Sequence, residues 1–230
     1  MTPYMKAKNI PWRRVLAEGV LIVASVLIAI SLESAWQARQ NEQNAKASLR
    51  EVLNELEADK SFLEEVVASQ QRLRGPAQVI NEWLRSPDLS GVDSLNNAFR
   101  EFDTPMSMWP RNHAWSSMVS ANQLSLLGDR RLVLDLGEHY QFSQERIVAS
   151  SRDYDLEFSR LQFESIPRFR NLDANALQAL QAEDFRVFGN QVLRMMEWNA
   201  WYLDVLSEYG DDLDTLIESV RNYLIHHGEL

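Results

Sequence analysis

An all-α fold is predicted for this chain, and three observations carry the prediction. Apolar residues recur at helical spacing in three long segments, and the last segment keeps a heptad pattern over six positions at each of two sites. No segment alternates apolar and polar residues with a period of two, and no Asn-Gly or Asp-Gly hairpin signal occurs. Turn formers are few, with 8 Gly and 7 Pro in 230 residues. The expected architecture is an N-terminal transmembrane helix continuing into a stalk, followed by an antiparallel bundle of about three long helices with shorter ones filling in. Its divisions are a basic cytoplasmic N-terminus at 1–14, an anchor at 15–36, a stalk at 37–48 and an extracytoplasmic bundle at 49–230.

The anchor is read from residues 15–32, VLAEGVLIVASVLIAISL, an 18-residue run between Arg14 and Glu33. At 1.5 Å per residue it is about 27 Å long, close to the hydrocarbon thickness of a bilayer. Its one charge, Glu18, sits in the first turn, where a carboxylate can reach the interface at modest cost. Trp12 and Trp36 bracket the run as interfacial aromatics do. Lys6, Lys8, Arg13 and Arg14 precede it with no acidic residue among them, whereas Glu33 follows it and cations beyond are sparse. That bias places the N-terminus in the cytoplasm of a bacterial cell and the rest of the chain beyond its inner membrane, in the periplasm. A cleaved signal sequence fits less well, because Glu33-Ser34-Ala35 puts a charge where cleavage needs a small residue. Ala17, Ala24 and Ser31 recur seven apart inside the run, with Ser25 and Ala29 beside them. Small side chains at this spacing form a possible anchor-packing face for a second membrane helix. Ala and Ser are also common in any membrane helix, and that plain reading is the more economical one.

Beyond the anchor, residues 37–48 have good helix formers and little apolar surface, as a helical stalk would. An apolar stripe then runs through Leu49, Val52, Leu53, Leu56, Leu63, Val66, Val67 and Leu73, with Gly75-Pro76 as its expected stop. Residues 77–85 and 94–102 suit short helices on either side of a loop at 88–93. Thr104-Pro105 and Trp109-Pro110 punctuate a connection to a helix expected over 113–127. Asp129 is a plausible N-cap for a long helix with the stripe Leu132, Leu136, Tyr140, Ile147, Tyr154, Phe158 and Leu161, ending at Pro167. In the last helix, Phe185, Val192, Asn199, Leu206, Leu213 and Val220 form one heptad site. Phe188, Met195, Tyr202, Tyr209, Leu216 and Tyr223 form the other, with Gly189 and Gly210 beside the seam.

Composition narrows the chemistry. Lys and Arg total 23 against 33 Asp and Glu, a formal charge of −10, and no basic stripe offsets it, so nucleic acid is not expected as a partner. The chain has no cysteine, which removes disulfides, thiolate catalysis and Cys-ligated metals. His113, His139, His226 and His227 lack metal-ligand spacing, and Asp211, Asp212 and Asp214 lack the glycine and distal Glu of a calcium loop, so they read as a solvated helix face. Ser116, Ser117 and Ser120 have no nucleophile elbow around them. Trp109, Trp115, Trp198 and Trp201 could line a ligand pocket but read more simply as core. Asn199, polar within an apolar seam, is expected to bond a neighbouring backbone group or Tyr hydroxyl, or to set register against a partner. No catalytic, cofactor-binding or metal site is expected.

Two stretches carry a resemblance. In AEGVLIVASVLIAISLESAWQAR the marks are Glu18, the Leu27-Ile28-Ala29 step, Trp36 and Arg39. In HAWSSMVSANQLSLLGDRRLVLDLGEHY they are Ala114-Trp115, Ser120-Ala121, Leu124, Asp129 and Tyr140. Together these resemble a bacterial family of uncharacterised single-span membrane proteins, a domain-of-unknown-function family with a Glu-containing anchor and a helical extracytoplasmic domain. Here Ala121 stands where that family has Gly, and His139-Tyr140 where it has a Tyr pair, which puts the family's turn after Ser120 in question. The resemblance implies topology and no activity. The functional expectation is a membrane-anchored, non-catalytic interaction or assembly module. It would be a subunit of, or accessory to, an inner-membrane complex, or else a homo-oligomer, with the lipid bilayer and a protein as its partners. The alternative is a periplasmic ligand-binding sensor, which would need a partner to carry its signal because only about 14 residues precede the anchor.

Overall fold

Helices account for most of the chain, and no strand occurs among the described residues. The computed structural model describes residues 12–102 and 105–229. Lys6, Lys8 and Thr104 lie outside these, as do the side chains of Trp12, Arg13, Arg14 and Ala17. The first helix, α1, runs unbroken over Trp12–Arg72, so the segments expected as anchor and stalk and the first packed helix are a single rod. Every described side chain from Leu16 to Asn44 is exposed, and burial begins at Ala45. The packed body therefore starts four residues before Leu49, where the C-terminal end of the chain lies alongside: Tyr223 and Glu229 act on Lys46, and Glu229 pairs with Arg50.

The stop expected at Gly75-Pro76 falls earlier. α1 ends at Arg72, and α2 begins after the single residue Leu73, at Arg74–Arg85. The Pro76 ring would collide with the carbonyl four residues back, that of Arg72, and so opens the helix there. In its new position Pro76 lies in the first turn of α2, where its missing N–H leaves nothing unpaired. α3, Val92–Glu101, follows the loop whose Asp88 carboxylate accepts from Gly91 N at 2.8 Å and whose backbone takes the Trp83 indole N–H at 3.1 Å.

The helix expected over 113–127 is shorter. α4 covers His113–Ser120, and the chain then turns into a short 3-10 segment at Leu124–Leu126. Asn122 adopts φ 54°, in the left-handed region, while Gln123 N donates to Met118 O at 3.1 Å. That is a helix C-terminal closure with Asn in the place a Gly usually takes. The turn after Ser120 therefore forms with Asn122, not Ala121, in the left-handed position.

Asp129 does cap the third arm, its carboxylate accepting from Arg131 N at 2.9 Å and Leu132 N at 3.1 Å. That arm is α5 (Arg130–Glu138) and α6 (Gln144–Arg160), joined by a π-helical turn at His139–Ser143. A second π turn, Leu161–Ser165, and a 3-10 turn around Pro167 close it. A short helix missed by periodicity, α7 (Ala174–Ala179), leads to α8, Ala182–His226, which starts in a Gln181/Asp184 capping box.

α8 is the axis of the body. It runs antiparallel to α1, as its pairs Lys60–Asp214 and Arg221–Glu57 require, and antiparallel to α6, as Arg146–Glu208 and Arg194–Glu157 require. All of its heptad positions are buried except the first, Phe185, which is half-buried. Its N-terminal half meets the α2–α3 pair, with Phe188 stacked on Phe169 at 4.3 Å and near Phe99 at 6.0 Å. At Gly210 an added Cβ would lie 3.2 Å from a Leu63 methyl, so the glycine lets α8 close onto α1.

Candidate functional site

The most polar part of the interior is organised around a stretch with no secondary structure. Residues 105–112 pass between α1, α6 and α8, and Ser107 and Met108 are buried there. Buried backbone outside any helix or strand has no ladder to satisfy it, so side chains must do so. From α1, Ser69 accepts from Met106 N at 3.1 Å and Gln70 donates to Met106 O at 2.7 Å. Asp59 accepts from Arg111 N at 2.9 Å, and Glu55 accepts from Ala114 N at 3.0 Å in the first turn of α4. From α6, Ser151 donates to Met108 O at 2.7 Å, Gln144 donates to Arg111 O at 2.5 Å, and Asp155 takes the Ser107 hydroxyl. From α8, the Tyr202 hydroxyl accepts from Met108 N at 2.8 Å.

Asn199 belongs to this network. Its amide donates to the Gln70 side chain at 2.7 Å and to the Gln70 backbone at 3.3 Å, with the Tyr154 hydroxyl at 3.5 Å. It thus bonds a backbone carbonyl and neighbouring side chains inside its own chain. Asp59 and Gln70 were not legible as special, since each is a single polar residue within an apolar stripe, although both are buried.

Next to this network the first π turn holds His139 in the interior. The ring lies 5.5 Å from that of Tyr209 and edge-on to Tyr140 at 5.1 Å, and neither ring nitrogen has a hydrogen-bond partner. Burial pulls His139 down to about 4, partly offset by the Asp212 carboxylate, so the imidazole is neutral at ordinary pH. Burial likewise pushes Asp59 up to about 6, opposed by Arg111, whose guanidinium is 3.7 Å away. Tyr140 and Tyr209 are raised by burial and by nearby carboxylates. Outside His139 lies an open cavity of about 240 Å³, lined by Asp135, Glu138, Ser143, Asp212, Thr215 and Ser219 among others. Among the described residues no group of three or more His, Asp or Glu is placed to hold a metal ion.

The other sequence candidates separate. His226 and His227 bond backbone carbonyls through Nδ1 at 2.7 Å, and His113 is exposed. Asp212 and Asp214 are not merely solvated, because they tie α8 to Ser143 and to Lys60. Ser116, Ser117 and Ser120 are exposed. The reading of four core tryptophans needs correction. Trp109 and Trp201 are exposed and Trp198 is half-buried, while Trp115 is half-buried and stacked on Tyr140 at 4.8 Å. An indole at helical spacing satisfies the core pattern with one edge alone, so spacing does not distinguish the two cases.

In the apolar N-terminal part of α1, Leu21, Ala24, Ser25 and Ile28 share one exposed helix face. Ser25 and Ser31 donate to their own helix at Leu21 O and Leu27 O, each at 2.8 Å, which lowers the cost of placing a hydroxyl in hydrocarbon. Ala24, Ser25, Ala29 and Ser31 all stand clear of the packed body. No family model, no curated protein and no solved structure matches this chain.

Proposed function

We propose that the chain is a membrane-tethered, non-catalytic interaction or assembly module. In this reading it belongs to an inner-membrane complex or to a homo-oligomer, with its helical body in the periplasm. One observation carries the reading: a single unbroken helix joins an apolar, fully exposed segment to the core of the body. A helix whose residues 19–32 are apolar on every side has no means of burying that surface within its own chain, and a bilayer supplies it. The second half fixes the body rigidly to that segment, since no Gly or Pro lies between Trp36 and Arg72.

The test starts from native membranes containing the full-length protein. It should stay in the membrane pellet after alkaline carbonate, with the body digested by protease only from the periplasmic side. Purified in mild detergent, it should elute with a stoichiometric partner or as a homo-oligomer, identified by mass spectrometry. Release by carbonate would end the anchor reading. Elution as a solitary monomer would end the assembly reading in favour of the ligand-sensing one.

A further inference from the structure

α6 and the π turns at its two ends carry an apolar stripe on the side facing away from the body. Phe142, Ala149, Leu156 and Phe163 follow one another at intervals of seven. All four are exposed, and the three large ones strongly so: Phe142 at 68%, Leu156 at 52% and Phe163 at 72%. Scattered exposed apolar residues mean little, but a seven-residue repeat lines these four up in one row along a single helix face, which a second helix can cover. At 1.5 Å per residue the stripe is about 31 Å long. Each terminal Phe lies within one of the two π turns, His139–Ser143 and Leu161–Ser165. In those same turns His139, Tyr140, Leu161 and Ser165 are buried while Phe142 and Phe163 point to solvent.

We propose that this face of α6 is where two copies of the chain pair side by side, in parallel; the inference rests on the interaction-module reading and names its partner. The charges flanking the stripe select both the partner and the direction. Three residues after Phe142 and Ala149 stand Glu145 and Arg152, and four residues after them stand Arg146 and Asp153. These two sets lie on opposite flanks of the seam. A two-fold axis parallel to the helices brings one flank against the other at the same height. Glu145 then meets the partner's Arg146, Arg152 meets the partner's Asp153, and each pair forms twice. The antiparallel alignment that matches the stripe, Phe142 against Phe163, sets each flank against itself. It opposes Arg152 to Arg152, Asp153 to Asp153 and Arg146 to Arg160, and like charges at that distance disfavour it.

Within the chain Arg146 pairs with the exposed Glu208, while Glu145, Arg152 and Asp153 hold no ion pair among the described residues. The parallel direction also agrees with the rest of the fold. α6 runs in the same direction as α1, since Tyr140 reaches Glu55 and Tyr154 reaches Gln70. Two copies paired in parallel therefore carry their apolar N-terminal segments at the same end, as two anchors in one membrane require. A stripe lying along the axis of α1 is oriented away from any membrane surface that α1 crosses, which leaves a protein as its occupant.

The chain has no cysteine, so single-cysteine cross-linking has no background. In membranes carrying the full-length protein, Ala149→Cys and Leu156→Cys should each give a dimer with a short bis-maleimide. Glu197→Cys and Ser207→Cys, on the exposed face of α8, should not. Phe142→Glu with Phe163→Glu, added to Ala149→Cys, should lower that dimer about tenfold while the circular dichroism spectrum stays unchanged. Arg152→Asp alone should weaken the cross-link, and adding Asp153→Arg should restore it, because the swapped pair is still complementary.

Equal cross-linking at the α8 controls would overturn the proposal. So would a dimer in detergent that fails to cross-link at 149 and 156, although the interaction-module reading would survive. A monomer that co-purifies with a different protein would remove the second copy and keep that reading. A monomer with no partner would remove both.

Discussion

Single side chains in this protein decide how a stretch of bare backbone can lie inside a helical body. Tyr202 is the clearest case, because its hydroxyl takes the Met108 N–H and pairs with Ser151 at 2.7 Å, all of it buried. Tyr202→Phe removes the acceptor and leaves the N–H with no substitute, so unfolding should become easier by about 1–3 kcal/mol, read by chemical denaturation of the detergent-solubilised chain. Asp59 acts in the opposite sense. Its carboxyl is pushed up to about 6 by burial from an ordinary value of 3.8, so between those pH values the folded chain holds a proton that the unfolded chain releases. Stability should therefore rise as pH falls from about 7 towards 4, because the unfavourable charge is half present at about 6 and fully present above about 7. Asp59→Asn should abolish that dependence and be more stable than the parent at pH 8 by about 1–2 kcal/mol, with little difference near pH 4. Equal pH profiles for the two proteins would show that the buried acid is not the titrating group. Neither residue could be singled out by periodicity. A tyrosine at a heptad position reads as core, and an aspartate one turn from Leu56 and Leu63 reads as an interruption. Their partner, the 105–112 segment, is far from both in sequence.

At the scale of elements, the long helices were legible because each buries a continuous stripe, and two stop signals were misplaced because they depend on local geometry. Pro76 acts on the carbonyl of Arg72 rather than at its own position, and Asn122 rather than a glycine supplies the left-handed turn after α4. The π turns have no signature in a pattern of 3.6 or 3.5, because each inserts a residue while the stripe on either side continues. Glycines in α8 give a paired prediction. A Cβ at Gly189 would meet a Leu84 methyl at an ordinary 3.7 Å, so Gly189→Ala should stabilise by about 0.5–1 kcal/mol through helix propensity alone. At Gly210 the contact with Leu63 is already 3.2 Å, and Gly210→Val should cost about 1–3 kcal/mol by forcing α8 off α1. Thermal unfolding of both variants beside the parent checks the pair, and the same sign for both would refute the close-approach argument.

For the molecule as a whole, the rod of α1 makes its apolar N-terminal segment and the body one mechanical unit, and this can be tested through phase. Residues 37–41 are helical and exposed and precede Glu42, which pairs with Lys46 of the body, so lengthening the helix there should leave the unfolding of the body unchanged. Their length does set the angle at which the α6 stripe is presented relative to the anchor. Two inserted residues rotate the body by about 200° and raise it by about 3 Å, whereas seven rotate it by only about −20° while raising it by about 10 Å. If the two copies meet at both the anchor and α6, insertion of two alanines after Asn41 should abolish the Ala149→Cys cross-link. Insertion of seven should preserve it. Loss with both insertions would mean that height above the membrane matters, and a third component of fixed size would then be holding the pair. Retention with both would mean that α6 pairs without help from the anchor, leaving the small residues around Ala24 and Ser31 as ordinary membrane-helix composition.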